Sequence, residues 1–242
     1  MKKLIPLVIG ALLIASNAFG SSVAMYDSDI DVSDLESLNR GAKYFVDYCS
    51  GCHAIKHLRY SRMGADFNIS EQDMRSSGIM APGAKIQDSL EGAMHDEDSK
   101  EWLGVEPPDL SLIARARGSD WLFTYLKGFY MDPSRPTGTN NILLPNVGMP
   151  NVLWQLQGLQ EAVFKANSGG EQILERMKPL HMGTMASEQF DQVLNDLVAF
   201  LVYAGEPSQF QRHRVAPFVM VGLLVLSIVL YKLKKEYWRD IQ

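Results

Sequence analysis

The sequence predicts an all-α domain with long irregular loops, followed by one C-terminal transmembrane helix. Three observations carry this expectation. Apolar residues recur at helical spacing over 35–46 and again over 190–202. Alternating runs of the strand type are weak throughout. Residues 215–231 form a stretch of 17 positions without a charge, at the short limit for crossing a bilayer. The apolar character of that stretch goes all the way round rather than along one stripe, which argues against a buried helix of a globular domain.

Taken in order, residues 1–20 read as a secretory signal. Lys2 and Lys3 make a positive start, and Leu4–Ala15 is an apolar run broken only by Pro6 and Gly10. Ala18-Phe19-Gly20 then offers small residues where a signal peptidase reads them. Cleavage is placed after Gly20, with cleavage after Ala24 as the alternative. The expected organisation is a signal over 1–20, an exported domain over 21–206, a linker over 207–214, a transmembrane helix over 215–231 and a tail over 232–242. Arg212, His213 and Arg214 precede the span; Lys232, Lys234, Lys235 and Arg239 follow it. The heavier positive cluster on the C-terminal side predicts a cytoplasmic C-terminus. The net charge of −5 hides its distribution: residues 21–206 hold 15 Lys and Arg against 26 Asp and Glu, a net −11. Such a face repels nucleic acid and attracts a basic partner, although solubility alone also accounts for it.

Within the domain, residues 21–32 are acidic and expected to be extended. Ser33-Asp34-Leu35-Glu36 reads as a capping box that opens a helix with Leu35, Leu38, Ala42, Phe45 and Val46 on its apolar side. This helix leads to Cys49-Ser50-Gly51-Cys52-His53, which contains both cysteines of the 242 residues. Two thiols at this spacing can add across the two vinyl groups of one haem, and the adjacent histidine then serves as an axial ligand, so Cys-x-x-Cys-His is a c-type haem attachment signature. A thioredoxin-like dithiol wants a βαβ setting that this stretch lacks. A zinc site needs two more soft ligands in a compact motif, and His57, His95, His181 and His213 are scattered.

Lys56, Arg59 and Arg62 follow, available either to haem propionates or to solvent. Residues 64–102 are expected to be irregular, broken at Gly78, Pro82 and Gly83, with an acidic patch at Asp96, Glu97, Asp98 and Glu101. Pro107-Pro108-Asp109-Leu110-Ser111 is held extended by its prolines. A carbonyl there, with Pro108 the candidate, stays free to accept a hydrogen bond from the second ring nitrogen of His53. Asp109 or Ser111 is expected to cap a helix holding Arg115 and Arg117. Ser119 or Asp120 is expected to cap another, with Trp121, Leu122, Tyr125, Leu126 and Phe129 on its apolar side.

For a sixth iron ligand, Met149 stands out among the methionines. It lies in Leu-Leu-Pro-Asn-Val-Gly-Met-Pro-Asn, where Pro145, Gly148 and Pro150 exclude a helix. Met182 and Met185, in a second glycine-containing loop over 178–186, are the alternatives. Most methionines simply fill gaps in cores. The domain closes with a helix capped at Ser187, lined by Phe190, Val193, Leu194, Leu197, Val198, Leu201 and Val202, and stopped by Gly205 and Pro207. On the residues alone, a haem enzyme with an open iron position also remains possible.

The order of these motifs is Tyr-Cys-Ser-Gly-Cys-His, then Leu-Arg-Tyr-Ser-Arg-Met, then Pro-Pro-Asp-Leu-Ser with Ala-Arg-Ala-Arg. Gly-Met-Pro follows, then a closing helix into Ala-Gly-Glu-Pro and a tail anchor. Over nearly the whole mature chain this resembles the cytochrome c1 family, the haem subunits of the cytochrome bc1 complex (ubiquinol–cytochrome c reductase). The resemblance implies a class I-like cytochrome c domain and one haem c bonded through Cys49 and Cys52. It implies axial ligands from His53 and Met149, and Arg117 at a propionate. Trp121 falls near where the family usually has a tyrosine, and the family's acidic-glycine loop before the last helix is replaced by Lys-Pro-Leu-His-Met-Gly-Thr-Met. The resemblance further implies an electron carrier rather than an enzyme on its own. It would act beside cytochrome b, accept electrons from the Rieske iron–sulfur protein and pass them to a cytochrome c. Its haem domain would lie on the periplasmic side of a bacterial inner membrane.

Overall fold

The computed structural model describes residues 24–166, 170 and 172–239; the expected signal over 1–20 lies outside them. In chain order the elements are α1 (Leu35–Tyr48), β1 (Ile55–Arg59), α2 (Tyr60–Phe67), α3 (Glu71–Ser76), β2 (Ser89–Leu90), α4 (Asp96–Leu103), α5 (Ile113–Arg117), α6 (Ser119–Lys127), β3 (Phe129–Met131), β4 (Thr139–Asn141), α7 (Trp154–Gln157), β5 (Gly158–Ala166), β6 (Gln172–Met182), α8 (Ser187–Gly205) and α9 (Gln209–Tyr237). They fall into two compact units. One comprises Ser28–Phe123 and Ala186–Gln242, the other Thr124–Met185 with the stretch up to Asp27. The protein is helix-rich, as its apolar periodicity predicts, and its strands form three separate antiparallel pairs.

The first unit is built on α1 against α8. Leu38, Ala42 and Phe45 recur at four- and three-residue steps, so they share one face of α1, and all three are fully buried. From α8, Val193, Leu194, Leu197, Val198, Phe200 and Leu201 are buried as well. Each such side chain contributes about 1.5–3 kcal/mol on burial. Phe200 lies 5.8 Å from the Phe45 ring and 6.5 Å from the Phe67 ring. The helices meet at Gly41, where a Cβ would stand 2.0 Å from the Asp196 carbonyl oxygen, so only glycine permits this approach. Beside it, the buried Asp196 carboxylate accepts from Ser37 Oγ at 2.7 Å and from Arg40 Nε and Nη2 at 2.7 and 2.9 Å, a two-pronged charge-assisted contact.

Several helix starts differ from expectation. Asp34, not Ser33, caps α1: its carboxylate accepts from the backbone N–H of Glu36 and Ser37, while Ser33 is drawn back to Asp31. The cap position of α8 is Ala186, not Ser187; Gln189 reaches back to accept from the Ala186 N–H at 3.2 Å, but alanine has no oxygen with which to return the bond. The stretch 64–102 is less irregular than expected, since α3 is capped by Ser70 and α4 forms within the acidic run. The linker expected over 207–214 is helical from Gln209 onward, because nothing between Gln209 and Arg214 breaks a helix. The 29 residues of α9 extend about 44 Å, beyond the roughly 30 Å of hydrocarbon. Gln211–Tyr237 is long and apolar enough to cross a membrane.

The second unit contains what periodicity did not reveal, a long β5–β6 hairpin with register from Gly158↔Met182 to Ala166↔Gln172. Its irregularities at Leu159/Gln160 and Val163/Phe164 break the two-residue alternation on which a strand reading depends. The hairpin also absorbs Lys178–Met182, so the loop expected over 178–186 is a strand up to Met182. Gln157 and Gln160 pin its base: both side-chain amides donate to Lys127 O, at 2.8 and 2.9 Å, and Gln160 also to Phe129 O at 2.7 Å.

Candidate functional site

Cys49 is the C-cap of α1, with its N–H bonded to Phe45 O. The chain then winds one further turn: the N–H groups of Cys52 and His53 both donate to Cys49 O, at 3.0 and 2.8 Å. The motif is thus a continuation of the helix, and this brings two cysteines and a histidine to one place without long-range help. A second strand of chain fits against the turn. Ala93 N–H donates to Ser50 O at 2.9 Å, and a Cβ at Gly92 would lie 3.2 Å from the His53 carbonyl carbon. Gly92 is therefore a close-approach position that the motif itself gave no signal of.

His53 and Pro108, 55 residues apart, come together. His53 Nδ1 lies 2.8 Å from Pro108 O. A carbonyl only accepts, so Nδ1 carries the proton and Nε2 keeps its lone pair. Burial lowers the His53 pKa, outweighing the Pro108 contact and the Asp109 charge that raise it. The imidazole is thereby held neutral and ready to act as a ligand. The brace is longer than one bond. Leu110 N–H donates to Ala54 O, Lys56 N–H to Asp109 Oδ2 and His57 N–H to Ser111 Oγ, at 2.9, 2.9 and 3.1 Å. This also corrects the expected caps: Asp109 and Ser111 serve the backbone of β1, and the cap position of α5 is Leu112, which makes no side-chain cap. Asp120 likewise turns away from its own helix to accept from Ser28.

The residues fit a covalently attached haem. Burial and the neighbouring Cys52 push the Cys49 thiol up to about 12, and burial raises Cys52. Both are free thiols, and their raised pKa disfavours the thiolate form in which cysteine binds a metal. Among the described residues no three His, Cys, Asp or Glu side chains gather as a metal-ligand cluster. Arg117 is exposed, its guanidinium 4.9 Å above the Trp121 ring. Trp121, which lacks a hydroxyl, therefore serves as the platform on which Arg117 rests.

In the second unit Met149 sits in a non-helical segment and is half-buried. Two residues invisible to motif reading hold that segment. Asn141, fully buried, donates from Nδ2 to Tyr125 O at 2.7 Å and accepts from the N–H groups of Leu143 and Leu144. Asn140 Oδ1 accepts from Asn141 and Asn146 N–H, and its Nδ2 donates to Asp132. Beyond the methionine, Asn151 N–H donates to Thr139 Oγ1. The Tyr125 hydroxyl donates to Met149 Sδ at 3.4 Å. Of the alternatives, Met182 is 82% exposed at the end of β6 and Met185 is half-buried. Met63, Met74 and Met80 are core.

A helix ending in a wound Cys-x-x-Cys-His turn, a histidine braced through Nδ1 and an apolar tail helix together define a membrane-anchored c-type cytochrome. Residues 26–241 match the model of the Cytochrome C1 family, and the chain belongs to that family. It is 44% identical over 246 residues to the cytochrome c1 of Allochromatium vinosum, covering 100% of both chains. It is 42% identical over 242 residues to a Nitrosomonas europaea protein named ammonia monooxygenase gamma subunit, covering 99% of each. A Candida albicans mitochondrial protein named as a cytochrome b–c1 complex catalytic subunit is 25% identical over 227 residues, covering 86% of this chain and 73% of that one. Membership makes the protein an electron carrier of the bc1 complex, with haem c as the implied cofactor.

Proposed function

We propose that this chain holds one haem c by thioethers from Cys49 and Cys52, with His53 Nε2 and Met149 Sδ as axial ligands. On this reading it accepts single electrons from the Rieske iron–sulfur protein and passes them to a cytochrome c. The observation that carries the proposal is the 2.8 Å contact of His53 Nδ1 with Pro108 O, which leaves the lone pair of Nε2 free for a metal and fixes the ring's orientation. A bound haem c supplies an iron whose charge changes by one electron, at a potential raised by His/Met relative to bis-imidazole ligation. The chain's own residues do the rest. Pro108 orients the imidazole, the Asn140–Asn141 brace holds the segment of Met149, and Arg117 on Trp121 offers a cation to a propionate. No bond of a substrate is made or broken on this chain, so it is a carrier rather than an enzyme by itself. The haem domain is assigned to the periplasmic side of a bacterial inner membrane and the C-terminus to the cytoplasm, because Lys232, Lys234, Lys235 and Arg239 outweigh Arg212 and Arg214.

The test is to purify the full chain from membranes and record its spectrum. The expected result is co-purification with a haem b subunit and a Rieske protein, a low-spin reduced c-type band and a weak ferric band in the far red. Met149→Leu is expected to abolish the far-red band and lower the potential markedly. Loss of the band in Met182→Leu or Met185→Leu instead would assign the sixth ligand elsewhere.

A further inference from the structure

Tyr125 is not part of any haem-attachment motif, yet its hydroxyl lies 3.4 Å from Met149 Sδ. A thioether sulfur has no proton to give, so the hydroxyl is the donor and one sulfur lone pair is the acceptor. This contact is built in from both sides. The Tyr125 ring stands edge-on to Phe129 with centroids 5.2 Å apart. The Tyr125 carbonyl is tied at 2.7 Å to Asn141 Nδ2, and the Oδ1 of that same amide takes the N–H groups of Leu143 and Leu144. One fully buried side chain thus sets the distance between the backbone of the tyrosine and the segment that presents the methionine.

We propose that Tyr125 is a positioning residue for Met149: its hydroxyl occupies one lone pair of the thioether, aims the other at the metal and sets the haem potential. The inference rests on the reading of Met149 as an axial ligand. A donated hydrogen bond draws electron density from sulfur and makes it a poorer donor. The ferric ion depends on that density more than the ferrous ion does, so the bond favours the reduced form and raises the potential. Phenylalanine at 125 keeps the ring and its packing on Phe129 and removes only the donor.

The experiment is a redox titration of the full chain within its membrane complex, comparing the unsubstituted protein, Tyr125→Phe and Met149→Leu, with the far-red band recorded in each. The expected result is a lower potential in Tyr125→Phe with the far-red band retained and shifted, and loss of that band in Met149→Leu. A merely structural tyrosine would change thermal stability and leave potential and band where they were; that outcome, with the band lost in Met149→Leu, overturns the role of Tyr125 and spares the ligand. Retention of the band in Met149→Leu overturns the ligand reading and the inference with it.

Discussion

The unit that carries His53 and the unit that carries Met149 are built differently. In the first, an apolar helix pair closes at Gly41, and His53 follows directly from the end of α1 by helical winding. In the second, buried amides do the work: Asn140, Asn141 and Asn151 bond the backbone on either side of Met149. The charge differs as well. Counting Ser28–Phe123 with 186–206, the first unit holds 21 Asp and Glu against 10 Lys and Arg, whereas residues 21–27 with Thr124–Met185 hold 5 of each. The whole net −11 of the domain therefore belongs to the histidine side. A residue wound onto the end of a packed helix needs little beyond the hydrophobic core to hold it. A residue in a segment without regular structure needs a hydrogen-bond partner for each buried backbone group around it.

The largest expected effect comes from breaking the helix pair. Gly41→Val places carbon atoms on the Asp196 carbonyl and forces α1 from α8; no folded, haem-loaded protein should accumulate, as judged by haem staining and protease resistance of membranes. Asn141→Ala breaks the other unit. It leaves two N–H groups and the Tyr125 carbonyl without this partner, costing roughly 2–4 kcal/mol, read as a lower melting temperature. The far-red band should weaken while the covalent haem remains, which would separate the two sides.

The charge contrast gives a smaller effect. Electron transfer to a basic cytochrome c should slow as salt rises. Neutralising Glu97, Asp98 and Glu101 should flatten that dependence, whereas neutralising Glu161 and Glu175 should not. Equal effects from both sets would remove charge from the comparison.

The smallest effect concerns acid. Burial raises the Asp109 carboxyl, but the Ser111 side chain and the N–H groups of Lys56 and Ser111 outweigh it and leave the pKa lowered. Its contribution is present above the unfolded value of about 3.9 and is lost as pH falls through the lower folded value. Asp109→Asn should therefore narrow the stability difference between pH 6 and pH 3 in acid-unfolding curves.

Much of the first unit is legible in the chain. Leu38, Ala42 and Phe45 announce their helix by spacing, and Cys49, Cys52 and His53 lie within one turn. Pro107-Pro108 marks a backbone that cannot be helical, which is why its free carbonyl can be anticipated. The helix caps are not legible, because Asp109, Ser111 and Asp120 each take a backbone donor that is near in space and far in sequence. The β5–β6 hairpin is not legible in the chain, because its two irregularities and Pro179 disrupt the alternation that marks a strand.

The sequence by itself determined the helical frame, the attachment turn and the tail span, since each depends on residues within a few positions of one another. It also singled out Met149 as the candidate sixth ligand, through Pro145, Gly148 and Pro150 around it. Only the tertiary structure decided that Asn141 braces the Met149 segment, that Tyr125 donates to its sulfur and that Gly41 lets two helices touch. These contacts join residues up to 155 positions apart, and a hydrogen bond or a close approach across such a separation leaves no periodic trace in the chain.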